Sequence, residues 1–226
     1  MTYTPPRRQA KDALFEGFAT IARALASGRR VEIIEVLGQG ERTVEHVAEA
    51  IGQSVANTSH HLRTLARAGL VDTRREGTHI HYRLASGQVG EMWLALRDLA
   101  AEHLESISDL TRAYLGDRGD LESITALELR DRLADDTVVL LDIRPEAEYE
   151  AGHLPGAVSL PPDRLEDLDE VLSGLPSDKG IVAYCRGPYC VYADDAIREL
   201  TRHGLSALRL EEGVPEWRRT GRPIET

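Results

Sequence analysis

Apolar residues near the start of the chain recur at three- and four-residue steps. Leu14, Phe15, Phe18, Ile21, Ala22 and Leu25 form one stripe, which predicts an amphipathic helix from Asp12 to Ala26. Ser27-Gly28 interrupts it, and Val31, Ile33, Ile34, Val36 and Leu37 predict a second helix closed by Gly38-Gln39-Gly40. Thr43 is an N-cap candidate for a short third helix, Val44 to Ile51, with Val47, Ala48 and Ile51 inward. After a turn at Gly52, Ser54 caps a fourth helix reaching about Ala68, with Val55, Leu62 and Leu65 as its inward face. The period then changes. Leu70 to Arg75 and Thr78 to Leu84 alternate around Glu76-Gly77, the pattern of a hairpin. A long helix is expected from about Gln88 to Leu115, carrying Met92, Leu96, Leu99, Leu104, Ile107 and Leu110.

The stretch Gly116-Asp-Arg-Gly-Asp120 is polar and glycine-rich, as a linker is. Beyond it the pattern alternates between short apolar runs and helical segments. A helical Thr125 to Leu133 precedes the buried-strand run Val138 to Leu141. A long loop with Pro161-Pro162 and an acidic helix, Arg164 to Leu172, lead to the run Ile181 to Tyr184. Cys185 follows, then a helical pattern from Val191 to His203 and a strand at Ala207 to Leu210. Strands alternating with helices predict a small parallel α/β sheet.

Charge sharpens the division. The net charge is −11 over 226 residues, but residues 1–115 hold 14 Lys+Arg and 14 Asp+Glu, while residues 116–226 hold 13 and 24. Two domains with different partners follow from that asymmetry. The expected boundaries are 1–115, a linker at 116–122, and 123–226. No apolar run approaches the roughly 18 residues of a membrane span. Met1 to Gln9 lacks the apolar core of a signal peptide. The expectation is a cytoplasmic protein with no membrane partner.

Two short helices across a glycine turn, followed by a basic hairpin, is the winged helix-turn-helix order. The fourth helix would read double-stranded DNA. From the Ser54 cap onward it offers Asn57, Thr58, Ser59, His60, Arg63 and Arg67, short hydrogen-bonding groups first and cations behind. The hairpin adds Arg74, Arg75 and His79. The run from Ser54 to Val71 (SVANTSHHLRTLARAGLV) resembles the recognition-helix motif of the ArsR family of winged-helix regulators. Arg29 to Leu37 and His81 to Leu84 resemble that family too. The resemblance implies a DNA-binding homodimer, a repressor in that family's manner, joined through the first and last helices of the domain. Many members sense metals through cysteines in the third helix. Here that helix has none, and Asp98 and His103 do not share a helix face. No metal or other cofactor is expected.

The second half resembles the rhodanese domain over about residues 123–224. Asp142-Ile-Arg144, then Glu148-Tyr149 and Gly152-His-Leu-Pro-Gly-Ala157, is one marker, and Gly213 to Trp217 is similar to the closing one. The resemblance implies a buried polar network of Asp142, Arg144, Glu148 and His153. It also implies a nucleophile, Cys185, that carries sulfane sulfur as a persulfide. The expected fold is therefore multidomain: an N-terminal winged helix-turn-helix, α with a β-hairpin wing, plus a C-terminal α/β rhodanese-like domain with a small parallel sheet.

The loop itself is Cys185-Arg186-Gly187-Pro188-Tyr189-Cys190, and it holds both cysteines of the chain. Backbone N–H groups of residues 187–189, the N-terminus of the helix behind and Arg186 would favour a sulfur anion on Cys185. Pro188 removes one N–H donor from that cradle. Where rhodaneses commonly carry an arginine at the sixth loop position, this chain has Cys190. That substitution disfavours thiosulfate turnover and supplies a thiol able to resolve a persulfide or sulfenate on Cys185. Two readings follow. One is a transcription regulator sensing reactive sulfur or oxidants through Cys185 and Cys190. The other is a sulfurtransferase tethered to DNA, with Cys185, Arg186 and Cys190 as its catalytic set. A third, docking of a persulfide-carrying partner protein, remains open beside them.

Overall fold

The computed structural model describes residues 5–176 and 178–226. The chain divides into two compact units, one ending at Trp93 and the other spanning Leu94–Thr226. The first unit opens with α1 (Pro5–Leu25) and α2 (Gly28–Gly38). Strand β1 (Arg42–Thr43), α3 (Val44–Ala50) and α4 (Val55–Arg67) follow, then the hairpin β2 (Val71–Glu76) and β3 (His79–Leu84), and α5 (Gly87–His103) begins here. The helix-start signals act as expected. The Thr43 hydroxyl accepts the His46 N–H and the Ser54 hydroxyl accepts the Asn57 N–H at 3.3 Å, each satisfying one backbone donor of the first turn. The three strands form an antiparallel sheet in the order β1-β3-β2. Ile33, Ile34, Leu37, Val47, Leu62 and Leu65 are at the centre of the core beneath it.

Two expectations for this half are corrected. Val55 is 45% exposed, and Thr58 takes the inward position with Leu62 and Leu65. The buried face of α4 thus follows the four- and three-residue steps Thr58, Leu62, Leu65, and polarity misplaces Thr58 on the outside. The long helix expected to Leu115 is also interrupted. Leu104 adopts an extended conformation, φ −108° and ψ 101°, between α5 and α6 (Glu105–Leu115), a break that neither glycine nor proline marks.

The second unit continues with β4 (Ser123–Ile124), α7 (Ala126–Ala134), β5 (Val138–Asp142), α8 (Glu146–Glu150), β6 (Val158–Ser159), a 3₁₀ turn (Pro162–Asp167) and α9 (Leu168–Ser173). Strand β7 (Gly180–Tyr184), α10 (Tyr192–Arg202), β8 (Ala207–Leu210) and α11 (Val214–Arg219) complete it. Its five strands pair in parallel in the order β4-β8-β7-β5-β6. Both faces of the sheet are covered, by Leu141, Ala183, Ala196 and Ile197 on one side and Leu140, Val182, Leu129 and Trp217 on the other. That explains the near-continuous apolar reading of β5 and β7. Strand β7 is central, so its carboxyl end, where Cys185 emerges, opens at the edge where parallel sheets place their ligands.

Candidate thiol site and DNA-reading face

Cys185 leaves β7 buried, 2% exposed, and Cys190 at the far end of the loop is 9% exposed; both are free thiols. The two side chains are hydrogen-bonded, with Cys185 donating to Cys190. The Cys190 sulfur also accepts the backbone N–H groups of Tyr192 and Arg186, and the Cys185 sulfur accepts that of Ala193. Residues Tyr192 and Ala193 open α10, so the helix N-terminus faces the sulfur pair. Burial, and then the bond to Cys190, push the Cys185 thiol well above the ordinary range. The bond from Cys185 first, helped by the two N–H groups and the charge of Arg186, pulls Cys190 down to about 7 against its own burial. The support for a sulfur anion, expected at Cys185, is thus stronger at Cys190, the sulfur with more donors and slightly more access.

Arg186 corrects a second expectation. Its guanidinium grips the Glu148 carboxylate through Nη2 at 2.6 Å and Nε at 3.0 Å and lies 5.2 Å from the centre of the Tyr192 ring. Its charge acts on Cys190, whereas the cation acting on Cys185 is Arg209. Gly187 has φ +135°, and a side chain there would meet the Glu216 carboxylate at 3.1 Å. Glycine therefore serves both the backbone angle and the close approach. Pro188 turns its carbonyl outward to Arg118 at 2.8 Å, and the Tyr189 ring lies 5.8 Å from the Arg97 guanidinium.

The remaining polar residues hold this loop. Arg144 pairs with Asp142 at 2.5 Å and donates to the Gly152 carbonyl at 2.8 Å, while the Tyr184 hydroxyl bonds to Asp142 and receives the Leu154 N–H. Glu148 binds Arg186, and His153 stacks on Tyr149 with 3.8 Å between ring centres. The pattern missed five further supports. Arg209 interrupts the apolar β8 because its guanidinium meets Asp194 at 2.8 Å, and Asp194 also binds Arg118 at 2.6 Å. The Glu216 carboxylate accepts the Gly213 N–H at 2.9 Å and pairs with Arg97. The visible sign was a charged residue inside a strand with apolar neighbours on both sides.

On the first unit, Ser54, Asn57, His60, Arg63 and Arg67 are exposed along α4 and Ser59 is half-buried, so they share its outer side, while Thr58 is fully buried. Arg75 and His79 are exposed on the hairpin. Arg74 is engaged by Glu41 at 2.5 Å and Glu76 at 2.8 Å, so its charge is partly neutralised there.

Residues 27–73 match the family model of the bacterial regulatory proteins of the arsR family, and residues 125–220 match the rhodanese-like domain. Over 215 residues, 95% of this chain and 93% of the relative, the sequence is 41% identical to the HTH-type transcriptional regulator Rv0324 of Mycobacterium tuberculosis. The chain belongs to the arsR family of bacterial regulators.

This regulator is a winged helix-turn-helix transcriptional regulator fused to a rhodanese-like domain. Its second half is also similar to a sulfurtransferase of Allochromatium vinosum, 35% identical over 106 residues, 46% of this chain and 94% of that one. Among solved structures, a homodimeric winged helix-turn-helix DNA-binding domain from Mycobacterium bovis is 40% identical, with a TM-score of 0.42, covering 47% of this chain and 95% of that one. Among the described residues no helix is long and apolar enough to cross a membrane, and no group of three or more His, Cys, Asp or Glu is placed to hold a metal ion.

Proposed function

We propose that this regulator binds its DNA operator as a homodimer and takes its input through Cys185 and Cys190, which respond to sulfane sulfur or to oxidants. The observation that carries this reading is the pair of free, buried thiols at the two ends of one loop of the rhodanese-like domain. A pair of that kind reacts stepwise. The Cys190 thiolate attacks the outer sulfur of a persulfide R–S–SH, forming Cys190–S–S⁻ and releasing R–SH. The Cys185 thiol then attacks the inner sulfur, giving the Cys185–Cys190 disulfide and hydrosulfide, HS⁻, which carries away the Cys185 proton. Hydrogen peroxide instead takes the Cys190 thiolate to a sulfenic acid with release of hydroxide, and the Cys185 thiol condenses with it to the same disulfide and water.

DNA reading falls to Ser54, Asn57, Ser59, His60, Arg63 and Arg67 on α4, with Arg75 and His79 on the wing and Arg74 in a lesser role because of its carboxylate partners. The homodimer reading rests on large apolar side chains left exposed on α1 and α6: Leu14, Phe15 and Phe18 on the first, and Leu110 and Tyr114 on the second.

The test is the affinity for a duplex selected on the reduced protein, measured with and without a sulfane-sulfur donor while intact mass follows the thiols. Coupling of this kind typically changes affinity about 5–150-fold. Full modification without a change in affinity contradicts the reading. The similarity to the A. vinosum sulfurtransferase favours a second reading, an enzyme whose turnover is its purpose. Rapid sulfur transfer from thiosulfate that survives Cys190→Ser would support the enzyme over the sensor.

A further inference from the structure

Arg118 belongs to the short stretch that follows α6, three positions beyond Leu115, the buried last residue of that helix. All three of its guanidinium nitrogens are used within the rhodanese-like fold. Nε donates to Asp194 Oδ2 at 2.6 Å, Nη1 to the Pro188 carbonyl at 2.8 Å, and Nη2 to the Cys190 carbonyl at 2.9 Å. Asp194 is fully buried in the first turn of α10 and gives its other oxygen to Arg209 Nε at 2.8 Å. Arg209 Nη2 in turn reaches the Gly187 carbonyl at 3.2 Å. The thiol loop therefore turns the carbonyls of Gly187, Pro188 and Cys190 toward two arginines that share one carboxylate. Arg209 is fixed in the sheet. Arg118 is the member of the pair carried on the connecting stretch.

We propose that Arg118 is the positioning residue through which a chemical change at Cys185 and Cys190 is passed to the connecting segment and to α6. The inference rests on the reading of the thiol pair as the regulator's input. Its physical basis is the placement of the two carbonyls. Closing a disulfide brings the sulfurs to about 2.0 Å and constrains the Cα separation. Part of that closure falls on residues 186–189, and the carbonyls that Arg118 holds lie at 188 and 190. A forked donor with three directed bonds tolerates such a shift poorly, because its geometry is fixed by the planar guanidinium. There is room for the movement: a groove of about 550 Å³, lined by Ile107, Thr111, Leu115, Arg118 and Tyr189 among others, borders the loop on the α6 side. Released from the loop, Arg118 frees the stretch after α6 from its hold on the thiol loop, while Arg198 still donates to the Asp117 carbonyl at 3.0 Å. The chain leads back from there through α6 and α5.

The experiment uses the full-length protein, a fluorescent duplex selected on the reduced wild type, and sodium polysulfide as the sulfur source. Wild type, Arg118→Ala and Arg118→Lys are each titrated reduced and after treatment driven to completion, with intact mass confirming the same thiol product. The expected result is reduced-state affinity near wild type in both variants, with the polysulfide response cut to less than about 2-fold against a wild-type change in the 5–150-fold range. Lysine should not rescue the response, since it offers one point charge where three directed donors are needed. A full wild-type response in Arg118→Ala overturns the inference. If the wild type itself is fully modified and its affinity does not change, the thiol-input reading has failed, and this inference with it. Hydrogen exchange of the unmutated protein covers the case of a variant that does not fold. Exchange over 116–122 should speed up on polysulfide treatment, and unchanged exchange there contradicts the coupling.

Discussion

Replacing Cys185 by alanine removes the group whose hydrogen bond does most to hold Cys190 in its thiolate form. Cys190 stands at about 7 against an ordinary 9.0. At about 1.4 kcal/mol per tenfold change, the surroundings stabilise the thiolate by about 3 kcal/mol relative to an ordinary cysteine. The bond from Cys185 is the largest contribution and burial opposes it, while the N–H groups of Tyr192 and Arg186 and the charge of Arg186 add to it. Without the donor, the midpoint of Cys190 should rise by at least one pH unit toward 9. Serine at 185 keeps an O–H donor, so Cys185→Ser should stay near 7. The assay is the rate of iodoacetamide alkylation of Cys190 against pH, read by mass. Alkylation follows the thiolate, so the rate climbs as pH rises through the midpoint. At pH 7, the alanine variant should react about 5-fold or more slowly than the serine variant. If Cys185→Ala keeps its midpoint near 7, the hydrogen bond between the thiols is not what stabilises the charge.

Other expectations follow from single contacts. In Gly213→Ala the new methyl would stand 2.6 Å from the Gly187 nitrogen and closer to the Arg186 carbonyl group. Overpacking of that kind costs about 1–3 kcal/mol, so urea unfolding should show that loss and Cys190 alkylation at pH 7 should change with it. The Thr58 hydroxyl is buried with no hydrogen-bond partner among the described residues. Thr58→Val should therefore raise stability by about 1 kcal/mol in the same unfolding assay and leave DNA affinity unaltered, whereas a base contact would be lost. Arg144→Met leaves the fully buried Asp142 without its cation; breaking a buried pair in this way costs about 3–5 kcal/mol, measurable by thermal or urea unfolding. If Arg75 meets a phosphate, Arg75→Ala should weaken binding to all duplexes alike and reduce the slope of log affinity against log salt by about 0.9.

The pattern of the chain specified much of this molecule, for reasons that particular residues illustrate. Thr43, Ser54 and Thr125 start helices because their hydroxyls accept N–H groups that have no partner in the first turn. The strands β5 and β7 were legible because a sheet covered on both faces needs an unbroken apolar run. By contrast β1, β4 and β6 are two residues long and carry no period. The break at Leu104 has no glycine or proline to announce it. Thr58 was misplaced because a threonine on a polar helix reads as solvent-facing, and only the packing of Leu62 and Leu65 shows which side is buried. At the site, spacing put both thiols in one loop but could not say which holds the charge. That depends on which sulfur receives which N–H. Arg118, Arg209 and Asp194 were illegible for a related reason, since their partners lie 15 to 76 residues apart in the chain.

On the proposed reading, the loop of Cys185 and Cys190 sets the regulator's affinity for DNA. The most direct measurement is one sample of full-length protein titrated on one duplex three times: reduced, after sodium polysulfide, and after renewed reduction, with intact mass taken at each stage. The predicted result is an affinity change of at least about 5-fold on modification, tracking the loss of free thiol, returning on reduction, and absent in Cys190→Ser. An affinity that stays the same while the mass shows both thiols converted would contradict the account.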